Sequence, residues 1–142
     1  MSKSNTFETD VLALIFNGTP IGNIADNAGT SPLTNLYIAL HTADPGDAGN
    51  QGTNECAYGG YARQAVARSS GGFTVSGNEA SLTSNVDFPQ ATSGTETATH
   101  FSIGTAASGT GKILYHGTIS PNISISTGVS PRLTTGTTIT ED

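Results

Sequence analysis

One segment near the start of the chain spaces its apolar residues as a helix does, whereas most later segments alternate. Its apolar residues fall at i, i+4, i+7 and i+8, on one helical face: Phe7, Val11, Leu14 and Ile15. Asn5 and Glu8 have capping-box spacing, and Gly18 supplies a C-terminal stop. The pattern predicts a short helix over residues 6–16, with its apolar face on a sheet or on a partner.

Residues 33–41 have the clearest strand pattern. One face carries Leu36, Ile38 and Leu40, and the opposite face carries Tyr37, Ala39 and His41. Because both faces hold side chains that can be buried, this strand is expected to have neighbours on both sides. We therefore predict that it is central in its sheet.

Two stretches are dense in glycine, proline, asparagine and aspartate. Residues 19–32 read as a loop anchored by Ile21 and Ile24. Residues 42–60 form a loop of a length that is uncommon inside a compact domain, and such loops are often binding or contact loops, or flexible. We predict a helix and arm over residues 1–32 and a long contact loop over residues 42–60.

From residue 61 onward, short β segments follow one another at the spacing typical of a sandwich or barrel. They cover residues 61–68, 73–75, 79–88, 99–103, 113–119, 123–125 and 133–139. Gly77 and Asn78 suit a two-residue hairpin turn, and the run from Thr134 to Thr138 reads as part of a Thr-rich strand. In the 79–88 segment, one face is apolar: Ala80, Leu82, Val86 and Phe88. The sequence predicts an all-β, single-domain, jelly-roll-like β-sandwich over residues 1–142, with one short N-terminal helix.

The composition narrows the range of partners. The net charge is −6, and the five basic residues are scattered, so a nucleic acid is not an expected partner. No apolar run approaches the roughly 18 residues of a membrane span, and the start of the chain lacks a signal-peptide pattern. The single cysteine, Cys56, excludes an internal disulfide and fits folding in a reducing cytoplasm. Large apolar residues are few, so we expect neighbouring subunits to add stability.

Candidate metal ligands are present but poorly spaced. Three histidines fall in predicted strands without the close ligand pair usual at zinc sites: His41, His100 and His116. Asp44, Asp47 and Asn50 lie three apart in the contact loop, where they could gather around Ca²⁺. They lack the alternate spacing of an EF-hand loop, and these residue types are common turn formers. We therefore predict no metal and no cofactor.

No catalytic pattern stands out. The sequence Gly109-Thr110-Gly111-Lys112 is similar to the end of a phosphate-binding loop, but position 106 is Ala and position 113 is Ile. It runs into a predicted strand, which favours a hairpin turn. No Gly-x-Ser-x-Gly elbow is present, and no pair of acids is singled out. We predict that the chain is not an enzyme. The alternative is a hydrolase built on the same β-sandwich scaffold.

Four segments together resemble a known family. They run from Leu36 to Pro45 (LYIALHTADP), from Gly59 to Gln64 (GGYARQ), from Val86 to Pro89 (VDFP) and from His100 to Ile103 (HFSI). In this order they are similar to small virion structural proteins of tailed phages and prophages, which are labelled capsid decoration, cement or tail-fibre-like proteins. The resemblance implies a place in the phage particle and brings no catalytic residue. It departs from the family at His41, where an aromatic residue is frequent.

Two physical points favour capsid decoration over a fibre. The chain has no long repeat that could form a shaft. Its neutral, hydroxyl-rich composition and thin core suit a module held by many weak contacts. We predict a cement protein on the phage head surface, bound to the major capsid protein and to copies of itself as a dimer or trimer. The alternative is a tail-fibre or baseplate component that binds a host receptor or glycan.

Candidate interface residues follow from residue type, because tyrosine and arginine concentrate in interface hot spots. They are Tyr58, Tyr61, Arg63 and Arg68, together with Asp44 and Asp47 of the contact loop. The alternative is that Tyr61 is a core residue and that the arginines pair with acids on the sheet surface.

Overall fold

The computed structural model describes residues 2–17, 19–25 and 33–141, apart from the side chains of residues 12–16. In chain order its elements are β1 (Ser2–Lys3), α1 (Asn5–Asn17), β2 (Asn35–His41), β3 (Gln64–Ala67), β4 (Phe73–Ser76), β5 (Glu79–Leu82), β6 (Val86–Asp87), β7 (Glu96–Gly104), β8 (Ile113–Ile125), β9 (Arg132–Leu133) and β10 (Thr138–Thr140). The predicted all-β class with one short helix is confirmed. The jelly-roll arrangement is not confirmed.

The helix begins at Asn5, and its cap, Ser4, lies one residue earlier than the predicted cap. The Ser4 hydroxyl accepts a hydrogen bond from the Phe7 backbone N–H at 3.3 Å and donates one to the Ile113 carbonyl at 2.6 Å. The predicted cap at Asn5 is therefore wrong, because the buried Ser4 satisfies the first turn and also ties it to β8. The predicted stop at Gly18 lies outside the described residues.

One face of α1 packs on the main sheet. Phe7 and Val11 pack in a cluster with Leu114 of β8, and Asp10 forms an ion pair with Lys112, the residue before that strand. Ile21 and Ile24 join the same cluster, as predicted for the loop that follows. Within the described residues, no helix has the length and apolar character needed to span a bilayer.

The main sheet has five antiparallel strands in the order β1-β8-β7-β2-β3. The predicted central position of β2 is confirmed, because β7 and β3 pair with its two edges. Ile38 and Leu40 are buried in the main core on one face, and Ala39 and His41 are buried on the other. Both faces of β2 are therefore covered.

β8 is a single long strand with a wide bulge, although residues 113–119 and 123–125 were predicted to form two strands. Thr118 lies opposite His100 and Ile123 opposite Ala98, so residues 119–122 face the single residue Thr99. Pro121 has no N–H to give to the ladder, and the bulge accommodates it without ending the strand. The bulge projects exposed residues from the sheet.

A second layer covers the apolar face of the main sheet. It consists of a three-stranded sheet, β10-β5-β4, and a two-stranded sheet, β6-β9. The core between the layers includes Leu82, Val86 and Phe88, and Ala80 packs against it; these four residues were predicted to form one apolar face. Gly77 has a φ of +62° between β4 and β5, as a tight hairpin turn requires.

Two predicted strands of this layer are interrupted. The 79–88 segment breaks at residues 83–85, just after Thr83 donates its N–H across to the carbonyl of Gly72, the residue before β4. The 133–139 segment breaks at a turn in which the Thr137 N–H bonds to the Thr134 carbonyl at 2.9 Å. The second break is therefore a local turn formed by threonines.

Candidate functional site

The loop over residues 42–60 is folded back onto the sheet. The Cys56 N–H bonds to the Leu40 carbonyl at 2.9 Å, and the Thr42 N–H bonds to the Asn54 carbonyl at 2.8 Å. Cys56 is a free, buried cysteine, and burial raises the pKa of its thiol to about 12. The loop is therefore irregular in shape but extensively bonded to its own chain.

His41 connects this loop to the polar face of β2. Its Nδ1 lies 2.8 Å from the Thr53 carbonyl oxygen, and its Nε2 lies 2.8 Å from the Ser102 hydroxyl. Because a carbonyl can only accept, Nδ1 carries the hydrogen and Nε2 accepts from Ser102 in the neutral ring. Burial lowers the pKa of His41 below its ordinary value. The imidazole therefore acts as a neutral structural link.

A buried ion pair closes the base of the loop. Arg63 donates from Nε to Glu55 Oε1 at 2.7 Å and from Nη2 to Glu55 Oε2 at 2.8 Å. It also donates to the Ala106 carbonyl at 2.9 Å and to the Gly109 carbonyl. The side chain of Arg63 is 2% exposed, and that of Glu55 is 18% exposed. We call Glu55, Arg63 and the neighbouring Gln51 the loop clamp.

Gln51 joins the loop clamp to β2 and to residue 106. Its Nε2 donates to the Tyr37 carbonyl at 2.9 Å, and its Oε1 accepts from the Ala106 N–H at 3.1 Å. A Cβ at Gly104 would lie 2.2 Å from Gln51 Cδ, and one at Gly111 would lie 2.1 Å from its Oε1. These glycines make room for the buried amide. Sequence reasoning missed both Gln51 and Glu55, and the two glycines were the available signal.

Two predicted interface tyrosines lie in an aromatic cluster beside the loop clamp. Tyr58 packs edge-on against Tyr61 with ring centroids 5.3 Å apart, and Tyr61 stacks on Phe88 at 6.3 Å. The Tyr61 hydroxyl donates to Glu55 and accepts from the Leu40 N–H. Burial raises the pKa of Tyr58 to about 12 and also raises the pKa of Tyr61. Both phenols therefore stay protonated and bonded inside the chain.

The structure places the arginine candidates in internal contacts as well. Arg63 belongs to the loop clamp, and Arg68 donates from Nη1 to the Ile24 carbonyl at 2.9 Å. In the alternative stated from the sequence, Tyr61 is a core residue and the arginines pair with acids on the sheet surface. Tyr61 does pack against the core, but Arg63 pairs with Glu55 in a buried position and Arg68 bonds to a carbonyl. Contact between a partner and Arg63 or Tyr58 would require internal bonds to open. Their interface role stays a prediction.

Asp44 and Asp47 lie together at the surface, on either side of a histidine of β8. His116 approaches Asp44 at 3.3 Å and Asp47 at 3.0 Å, and it is itself buried. Hydrogen bonds from Ser2 and His116 lower the pKa of Asp47. Asp44 also accepts from the Gly46 N–H as a turn former does. Among the described residues, no group of three acid, histidine or cysteine side chains is placed to hold a metal ion.

A groove of about 840 Å³ opens between β8 and the segment over residues 132–140. We call it the hydroxyl groove. Its lining includes seven polar residues whose side chains make no hydrogen bond within the described chain: Thr118, Ser120, Asn122, Ser124, Thr137, Thr138 and Thr140. The apolar part of the lining consists of Phe101, Ile119, Ile123 and Leu133. Unlike the loop clamp, the hydroxyl groove leaves its side-chain polar groups available to another molecule.

Comparison with known families identifies the kind of protein. The model of the family described as podophage GP4 fiber I protein gp80 matches residues 2–141. The chain belongs to the Gp80 family. The predicted membership of a phage virion structural protein family is confirmed, and the family is of the fibre type. The loop clamp and the hydroxyl groove both lie within the part of the chain that matches the Gp80 model. No curated protein matches the chain.

Proposed function

We propose that this Gp80-family chain is a compact, non-catalytic module of a fibre on the virion. The observation that carries the proposal is the match of residues 2–141 to a family described as a fibre protein. The chain contains no long repeat suited to a shaft, so the proposal places it at an end or a junction of the fibre.

The bonding of the 42–60 loop supports a rigid role. Segments that open easily have few buried contacts and exposed backbone hydrogen bonds. This loop instead has Gln51, Cys56 and Tyr58 buried and its backbone bonded to β2 and to the 104–112 turn. A module that keeps its loops closed can transmit load between neighbours without changing shape.

We further propose that the partners are copies of the same chain and an adjoining virion protein. Within the described residues, β3, β4 and β10 each pair along one edge, which leaves the other edge open to a neighbour. The dimer or trimer predicted from the sequence belongs to this proposal. Contact with the major capsid protein belongs to the decoration alternative.

Decoration of the head shell is the second candidate, supported by the thin core and by the absence of a shaft repeat. In this candidate, the predicted contact loop over residues 42–60 would reach between subunits of the shell. The loop's internal bonds weaken that particular support, because the same atoms would have to leave their partners.

Immunogold labelling of virions that carry a tagged chain tests the proposal. Label on fibres of the particle is the expected result, and label spread over the head would replace the fibre assignment with decoration. Particles made without the chain should keep the heat and low-salt resistance of their shell while losing the labelled fibre. A purified chain that hydrolyses a substrate, with the activity lost on changing a single acid, would contradict the non-catalytic part.

A further inference from the structure

The hydroxyl groove carries a ligand-binding inference. We propose that it binds an uncharged oligosaccharide segment through the hydroxyl and amide groups of β8 and of residues 132–140. This inference rests on the proposed fibre role only for where the groove lies on the virion. The ligand class follows from the chemistry of the groove itself.

The polar lining matches the surface of a neutral sugar. A threonine or serine hydroxyl can both donate and accept, and so can each hydroxyl of a sugar ring. Thr118, Ser124 and Thr138 have no side-chain bond to the described chain, so a ligand would displace only water. Ile119 and Ile123 offer apolar surface to the C–H groups of the ring.

The charge of the lining argues against an ionic ligand. Arg132 is the one formally charged residue in the lining, and its Nε and Nη2 both donate to the Asp87 carboxylate, whose charge balances its own. Nucleic acids and acidic polysaccharides bind through clustered cations that neutralise their charges. The hydroxyl groove has no such cluster, which favours a neutral ligand.

The edge of β8 along the groove is poorly suited to an added protein strand. β1 pairs with β8 only at Tyr115 and His116, so the described part of that edge is unpaired beyond them. The bulge over residues 119–122 interrupts the edge, and Pro121 lacks a donor. Bulges and prolines are devices by which edge strands avoid pairing with other chains. Side-chain recognition of a ligand therefore fits the groove better than strand addition.

The expected affinity of one groove is low. Phe101 lines the groove but is itself buried, so no exposed aromatic ring is there for a sugar to stack on. We expect a dissociation constant on the order of 1 mM for a single chain. Several copies held on one fibre would raise the overall avidity without any new contact.

The experiment is an NMR titration of the full-length chain with two sets of probes. The neutral set contains oligosaccharides of glucose, galactose, mannose, rhamnose or N-acetylglucosamine, and the acidic set contains oligogalacturonate and oligosialic acid. At least one neutral probe should shift backbone amides of residues 117–124 and 132–140, and added salt should not weaken it. Three results would each overturn the inference: no shift there with any neutral probe, shifts there with acidic probes alone, or shifts there that follow only the concentration of the chain itself.

A matched pair of variants tests the residues. Removing two hydroxyls with Ser124→Ala and Thr138→Val should weaken binding roughly five- to 150-fold, because each neutral hydrogen bond contributes modestly. Ser76→Ala removes an exposed hydroxyl from the opposite edge of the three-stranded sheet and should leave binding unchanged. Equal effects of both changes would contradict the assignment. If immunogold labels the fibre but no sugar binds, only this inference fails. If a sugar binds but immunogold labels the head, only the fibre assignment fails.

Discussion

Replacing Arg63 by methionine should destabilise the chain more than any change to an exposed ion pair. The substitution keeps most of the length of the buried side chain but removes its charge and all of its donors. Glu55 would lose both bonds to the guanidinium, and the carbonyls of Ala106 and Gly109 would lose their donor. The Glu55 side chain is 18% exposed, so water can replace only part of what it loses.

The expected cost follows from that loss. Removing one partner of a buried pair costs about 3–5 kcal/mol, chiefly because a charge is left buried without compensation. Single domains are stable by about 5–15 kcal/mol, so the variant should lose a large share of its free energy of unfolding. The change should lower the urea midpoint strongly while leaving the slope of the transition unchanged.

Arg132→Met is the matched control. Arg132 bonds to Asp87 through the same two kinds of nitrogen, but its side chain is 53% exposed and that of Asp87 is 57% exposed. Its removal should leave the urea midpoint nearly unchanged, because exposed ion pairs contribute little to stability. A cycle with Glu55→Gln, Arg63→Met and the double variant should be non-additive, with the double change costing less than the sum. Equal midpoints for Arg63→Met and Arg132→Met would refute the reasoning.

Three further predictions concern stability. Burial lowers the pKa of His41 below 6.5, so the unfolded chain takes up the proton first as the pH falls, and stability should decrease from about pH 6.5 downward to the lowered folded pKa. A plot of urea midpoint against pH should be less steep in this range for His41→Asn, and an unchanged steepness would contradict the prediction. Ser4→Ala should lower the free energy of unfolding by about 1–2 kcal/mol, because it removes the N-cap hydroxyl that accepts from the Phe7 N–H. Thermal unfolding measures the loss, and Thr6→Ala is the exposed control. Gly104→Ala should cost about 1–3 kcal/mol or block folding, because its Cβ would collide with Gln51, whereas Gly22→Ala has open space and should not.

Local patterns in the sequence predicted the elements that depend on local physics. The period of the apolar residues located α1, and the alternation in β2 indicated burial on both faces. Gly77 and Asn78 form the predicted hairpin turn because a positive φ is easy for glycine. In each case the information lies within a few neighbouring residues.

Contacts between distant residues could not be predicted in the same way. Glu55 and Arg63 bind each other only because the loop returns to the sheet, and the 104–112 turn then supplies the carbonyls that complete the loop clamp. Residue type alone therefore indicated an interface at Arg63, whereas the fold places it inside. The hydroxyl groove also needs the fold, since β8 and residues 132–140 meet only after the two layers pack.

The burial of Cys56 has a practical consequence. It is the only thiol in the chain, it is 2% exposed, and its raised pKa leaves almost no thiolate at neutral pH. A thiol reagent can modify the protein only when the segment around Cys56 lifts from β2. The rate of thiol modification in native buffer therefore reports how often this segment opens. The same rate measured on intact virions would show how far assembly suppresses the opening.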